Sequence, residues 1–212
     1  MPISSMTNPA NTTSTSSSLT ASSNVQRGDV LIILDWADNT SGTPTDVSIT
    51  GYTKLHTVSG SFDRCNLWYR VSDGTEASAS YTCMNGTNWN HKIFSVFRPN
   101  AMVVSVTAKS PVGTVTDSNP GSQTITSGSG TAPLLVLATW NDTDSSSAIS
   151  PRTQSPTMTE VSLNTHSYLG WIFYASSPSN QSFDMDDEGN ANTLVGGYLE
   201  LTGQLGQFFN VF

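Results

Sequence analysis

Charge is scarce in this sequence. Only 11% of its 212 residues are Asp, Glu, Lys or Arg, and eight scattered basic residues stand against sixteen acidic ones, for a formal net charge of −8. Binding to a phosphate backbone depends on clustered Lys and Arg that release counterions, so no nucleic-acid partner is expected. Long apolar runs are also missing. Nowhere do about 18 apolar residues follow one another, the length a membrane-spanning helix needs, and no membrane partner is expected. The opening stretch "MPISSMTNPANTTSTSSSLT" has neither the basic start nor the apolar centre of a secretory signal, which points to a soluble product made inside the cell.

Catalytic and metal signatures are equally thin. There is no G-x-S-x-G nucleophile elbow, and His56, His91 and His166 lie in or beside strand patterns with no repeated spacing, as surface or hydrogen-bonded structural histidines do. No pair of carboxylates stands out for acid–base work, so the chain is expected to be non-enzymatic. The two cysteines, Cys65 and Cys83, lack zinc-ligand spacing. The stretch "RCNLWYRVSDGTEASASYTCM" between them reads as a hairpin turning near Gly74, with Leu67, Tyr69 and Val71 sharing a side with Ala77, Ala79 and Tyr81. Cys65 and Cys83 would then face one another as buried free thiols or as a cross-strand disulfide, the reduced form being favoured in an unsecreted chain.

What the chain does have is Ser, Thr, Asn and Gly around short runs of β-formers, with no convincing amphipathic helix. That is an all-β pattern, an antiparallel β-sandwich of jelly-roll-like or Ig-like form. A chain of this length can bury roughly 70% of its unfolded surface. Residues 1–17 are too poor in apolar side chains to make a core element and are expected to form a polar arm or tail. Residues 18–212 form the body. Within it "GDVLIILDWADN" at 28 is echoed by "APLLVLATWNDT" at 132, and the same offset of 104 relates Trp36 to Trp140 and "LWYRVSDG" at 67 to "WIFYASSP" at 171. "YTKL" at 52 matches "MTEV" at 158 with a small shift. The echo runs from 18–98 to 122–202 and predicts two pseudo-repeated halves. Residues 99–121 read as strand and turn, not as a flexible linker, and "VLIIL" and "LLVL" are apolar at every position. Both features favour one body in which the two copies share a core.

Three stretches could carry binding. In "DMDDEGN", Asp184, Asp186 and Glu188 precede Gly189 at the spacing of a calcium loop, although Val195 stands where such a loop places a bidentate Glu; the alternatives are a Ca²⁺ site and a solvated acidic hairpin tip. Trp89, in the polar stretch "MNGTNWNHK", is placed either to stack on a sugar or to anchor its loop or a subunit contact. Trp68 and Trp171 lie within strands as packing residues. The apolar end "GQFFNVF" puts Phe208, Phe209 and Phe212 beyond the last matched strand, to dock on a partner or to complete the sheet.

Finally, "GDVLIIL", "GYTKL", "LWYRV" and "FSVFRP", in that order over residues 18–98, resemble a β-sandwich pattern of phage virion proteins. That pattern has an apolar strand led by Gly-Asp, a Gly-aromatic-Thr-Leu element, an aromatic strand ending near Arg, and a closing strand with aromatic-Arg. Here Tyr52 replaces the more usual Trp, and Pro99 follows Arg98 where Gly is typical. The resemblance implies a non-enzymatic virion component, assembled in the host cytoplasm, that decorates or cements the particle beside other virion proteins and copies of itself. A tail or fibre adhesin binding host surface glycan is the alternative. Neither role brings catalytic residues with it.

Overall fold

A computed structural model describes residues 3–108, 116–117, 123–125, 133–142, 157–164, 167–176, 181–183 and 192–203. Short β-branched and aromatic runs become strands, and the Gly, Asn, Asp and Ser clusters between them become turns. The first half holds β1 (Met6–Ser14), β2 (Ser18–Thr20), β3 (Val30–Asp38), β4 (Thr53–Ser59), β5 (Asp63–Val71), β6 (Ser80–Thr82) and β7 (Trp89–Pro99). The second holds β8 (Val103–Ala108), β9 (Thr116–Asp117), β10 (Gln123–Ile125), β11 (Leu134–Asp142), β12 (Thr159–Asn164), β13 (Ser167–Tyr174), β14 (Gln181–Phe183) and β15 (Asn192–Gly203). No helix occurs among the described residues, and the protein is an all-β antiparallel sandwich.

The two halves have the same strand order. A five-stranded sheet β1-β7-β3-β5-β4 accompanies the pair β2-β6, and a sheet β8-β15-β11-β13-β12 accompanies the pair β10-β14, with β9 adding to β15. In each half the antiparallel pairs are nested, β1 with β7 around β2 with β6 around β3 with β5, and their counterparts likewise. Nested pairs of this kind make a jelly-roll-like arrangement; an Ig sandwich divides its strands differently.

Register refines the echo. Cys65 and His91 pair with Trp36, while the residues 104 positions further on, Leu169 and Val195, pair with Thr139. Trp140 pairs instead with Tyr168 and Leu194. With β5 and β7 set against β13 and β15 at the offset of 104, the central strand is displaced by one residue, and Thr139, not Trp140, falls on Trp36. A one-residue slip reverses the face a strand position presents, so the shared Trp is not a repeated structural site. The "YTKL" and "MTEV" segments do correspond in one respect: each ladder is interrupted at the fourth residue, between Lys54 and His56 and between Glu160 and Ser162.

The large sheets pack face to face. Val30, Ile32, Leu34, Trp36, Cys65, Leu67, Ile93 and Phe97 of the first form one buried cluster with Leu135, Leu137, Leu169, Leu199 and Leu201 of the second. Strand β15 packs on β4, and β12 packs on β7. Exchanging each strand for its counterpart turns the first contact into the second, so the halves meet as two copies do across a two-fold axis. Gly197 marks the close approach, since a Cβ there would press on the Leu55 side chain of β4. On the other side of the first sheet, Leu31, Ile33, Trp68, Phe94 and Val96 are covered by Leu19, Ala21 and Cys83 from β2 and the segments beside it and β6. Every residue of β3 from Val30 to Ala37 is buried, which is why "VLIIL" is apolar on both faces.

Two sequence expectations need correction. Residues 6–14 are not a free arm: Met6–Ser14 is the edge strand of the first sheet, paired with β7. An edge strand is held by its backbone ladder, so few apolar side chains suffice. Ile3 is buried in the inter-sheet core, and the bulge between Thr7 and Ala10 turns Met6 to the inner cluster and Ala10 to the outer one. Pro9, which has no N–H, lies in that bulge, and the Asn8 side chain donates to the Val96 carbonyl at 2.8 Å.

The Cys65–Cys83 stretch is not a hairpin. Strand β5 pairs with β3 and β4, whereas β6 pairs with β2. The turn at 72–76 is built by Glu76, which accepts from Ser72 Oγ at 2.7 Å and from Gly74 N at 3.2 Å and binds Arg70 at 2.7 Å, sending the chain into the other layer. Leu67, Tyr69 and Val71 therefore face the inter-sheet core, and Ala79 and Tyr81 the outer one. Cys65 and Cys83 are free, buried thiols on opposite faces of the first sheet. Burial, reinforced by Asp35, pushes the Cys65 thiol well up and the Cys83 thiol up to about 12. Thiolate is the reactive form. Native protein at pH 8 is therefore expected to give no reaction with a thiol-disulfide reagent over the time in which denatured protein titrates two thiols.

Candidate functional site

Two places in the first half bring functional groups together. The first is the end of the sheet where Trp89 begins β7. Asp38, closing β3, pairs with Trp89 on one side and with Asp63 on the other, and Asp63 follows the exposed Phe62. Trp89 and Phe62 are 45% and 54% exposed, so two aromatic side chains flank the end of one central strand. The loops between them are held by their own amides and hydroxyls. Asn39 Oδ1 accepts from Thr87 N at 2.9 Å, Thr87 Oγ1 accepts from Thr40 N at 3.1 Å, and Asn88 Nδ2 donates to Asp38 Oδ2 at 2.7 Å. Asn90 brackets Gly86 at 2.8 and 3.0 Å, and Gly86 lies so close to the Asp38 backbone that no Cβ would fit. The result is a pinned rim with exposed rings, able to stack on a flat apolar face such as that of a sugar. Trp68 and Trp171 are packing residues: Trp68 is buried under the Lys54 ammonium, 4.7 Å from its ring centre, and Trp171 meets Phe97 edge-on at 5.3 Å across the two sheets.

Most charged groups of the first half serve as struts. Arg98 clasps buried Asp29 at 2.9 and 2.8 Å and reaches the Asn24 carbonyl at 2.7 Å. Lys54 and Arg64 meet Asp46 at 2.6 and 3.2 Å. Burial raises the Asp46 carboxyl, but hydrogen bonds from Lys54 and Asn66 and the charges of Lys54 and Arg64 outweigh it and hold the group below its ordinary value.

The second place is a row across the centre of the first sheet. Asn66 on β5, Asp35 on β3 and Lys92 on β7 are direct cross-strand neighbours. Strand alternation points them away from the inter-sheet core, under the segment at Cys83 and Met84. Asp35 and Lys92 are wholly buried, with Lys92 Nζ 2.5 Å from Asp35 Oδ1 and 2.6 Å from the Trp36 carbonyl it donates to. Met84 N donates to Asp35 Oδ2 at 3.0 Å. Asn66 is engaged elsewhere, donating to Asp46 at 2.9 Å and accepting from Thr57 at 2.6 Å. At the offset of 104 the corresponding row of the second half is Gly170, Ala138 and Gly196, and the Tyr168 ring lies over Gly170. Sequence patterning does not single out this pair. Its only trace is one charge inside each of two mainly apolar stretches, "VLIILDW" and "HKIFSVF".

An open groove of about 400 Å³ lies between the start of β1 and the edge of the second sheet, lined by Ser4, Met6, Thr159, Trp171 and Phe173 among others. The acidic stretch with Asp184, Asp186 and Glu188, the tail with Phe208, Phe209 and Phe212, and His166 all lie outside the described residues. Among the described residues no group of three His, Cys, Asp or Glu side chains could hold a metal ion. No family model, curated protein or solved structure matches this chain.

Proposed function

We propose that this chain is a non-enzymatic structural protein of a bacteriophage particle, decorating or cementing its surface among other virion proteins and copies of itself. The observation that carries this reading is the use of its charges. Asp29–Arg98, Glu76–Arg70, Asp46–Lys54 and Asp35–Lys92 all tie loops and strands of the first half together, as suits a load-resisting body. The resemblance of residues 18–98 to virion sandwiches points the same way. Purified particles are expected to contain the chain in a fixed copy number, and particles assembled without it to lose resistance to heat or osmotic shock. Its absence from purified particles would overturn the proposal.

The exposed pair Trp89 and Phe62 favours a second reading, a tail or fibre adhesin whose rim stacks on host carbohydrate. Trp89→Ala should leave stability within about 1 kcal/mol, as for other partly exposed positions, while removing binding to any glycan retained on an array. Undiminished binding by the variant would count against a sugar role for Trp89.

A further inference from the structure

We propose that Asp35 and Lys92 are joined by a side-chain amide, an isopeptide bond that cross-links the central strand β3 to its neighbour β7. The two groups meet in a place closed to water, with both side chains 0% exposed. Burying two opposite charges is costly unless every lone pair and proton finds a partner, and an ammonium brings three protons. Here the surroundings supply less than that. Beyond the carboxylate itself, Lys92 Nζ has the Trp36 carbonyl at 2.6 Å, and Asp35 Oδ2 has Met84 N at 3.0 Å. Asp35 Oδ1 has no hydrogen-bond partner, and its one polar neighbour is Nζ, 2.5 Å away.

The same surroundings fit an amide group by group. An amide has one N–H and one carbonyl oxygen. The N–H at Nζ would donate to the Trp36 carbonyl, and the carbonyl at Oδ2 would accept from Met84 N. The partnerless Oδ1 is the atom that leaves. The reaction is a condensation that needs no other reactant. Nζ gives one proton to Oδ1, producing a neutral amine and a carboxylic acid. The amine lone pair then forms the Nζ–Cγ bond while Met84 N–H stabilises the negative charge growing on Oδ2. A second proton passes from Nζ to Oδ1, the Cγ–Oδ1 bond breaks, and one water leaves. Net charge is zero before and after. Fixed proximity replaces an unfavourable encounter in water by an intramolecular one, with effective concentrations on the order of 10⁵ to 10⁸ M in well-aligned cases. The second half has no equivalent bond, because its strands β11, β13 and β15 contain no Lys.

Intact mass of the purified, denatured chain tests this. The expected mass is lower than that of the sequence by one water. Trypsin should release residues 28–54 joined to residues 71–109, uncut at Lys92, because Lys54, Arg70 and Lys109 remain cleavable and Arg98 precedes Pro99. Lys92→Arg should restore the full mass and abolish the joined peptide. Folded wild-type protein of full mass, or a lost water without the joined peptide, as from ring closure at Asp73–Gly74, would overturn the proposal. The wild-type digest decides the matter even if the variant does not fold.

Discussion

Lys92→Met is expected to be among the most damaging single changes in this protein, lowering stability by about 3–5 kcal/mol. The side chain it removes is wholly buried, and Asp35 would be left in the same dry pocket with Met84 N as its one remaining hydrogen-bond donor. For a chain of this size each kcal/mol moves the melting temperature by about 2–4 °C, so a fall of about 6–20 °C should be visible by calorimetry or circular dichroism. Replacing Asp35 as well, in Asp35→Leu/Lys92→Met, removes the stranded carboxyl and should recover part of the loss. Recovery would stop short of wild type, because the double variant cannot form the amide that closes a loop between residues 35 and 92. A double variant as stable as wild type would argue that the pair adds nothing beyond ordinary packing.

The second large effect belongs to the contact between the halves. Phe97 is fully buried on β7 and meets the Trp171 ring of β13 edge-on, so Phe97→Ala opens a cavity where the two sheets touch. Large-to-small changes of this kind cost about 3–5 kcal/mol. Because Phe97 sits in one cluster with Leu135, Leu137, Leu169 and Leu199, the loss should lower the melting of the entire body and not of the first half alone. Fluorescence from a variant that keeps Trp171 as its only tryptophan should then change at the same temperature as the backbone signal. A second half that melts unchanged in Phe97→Ala would show that the two sheets are independent.

How much of this could be read from sequence depended on whether the signal was local. The unbroken apolar runs of β3 and β11 announce strands covered on both faces, and the covering layers are there for β3. The repeat was visible because whole strands recur, but identical residues misplaced its register: matching Trp36 to Trp140 aligns letters, whereas Leu135 and Leu137 take the core face that Leu34 and Trp36 take in β3, an odd shift and not 104. The Cys65–Cys83 stretch looked like a hairpin because sequence neighbours usually pair. Glu76 and its partners redirect the chain instead, and β6 joins a strand about sixty residues away. The polar start hid an edge strand, since backbone hydrogen bonding leaves almost no mark on composition. The Asp35–Lys92 pair was the least legible feature. Each residue looks like an isolated charge in an apolar strand, and only the pairing of β3 with β7 brings them together.

Two jelly-roll-like halves share one core between their large sheets. Differential scanning calorimetry of the intact chain tests it most directly. A shared core predicts a single transition whose calorimetric and van't Hoff enthalpies agree, in wild type and, at lower temperature, in Phe97→Ala. Two separable transitions, with Phe97→Ala moving only one of them, would contradict it.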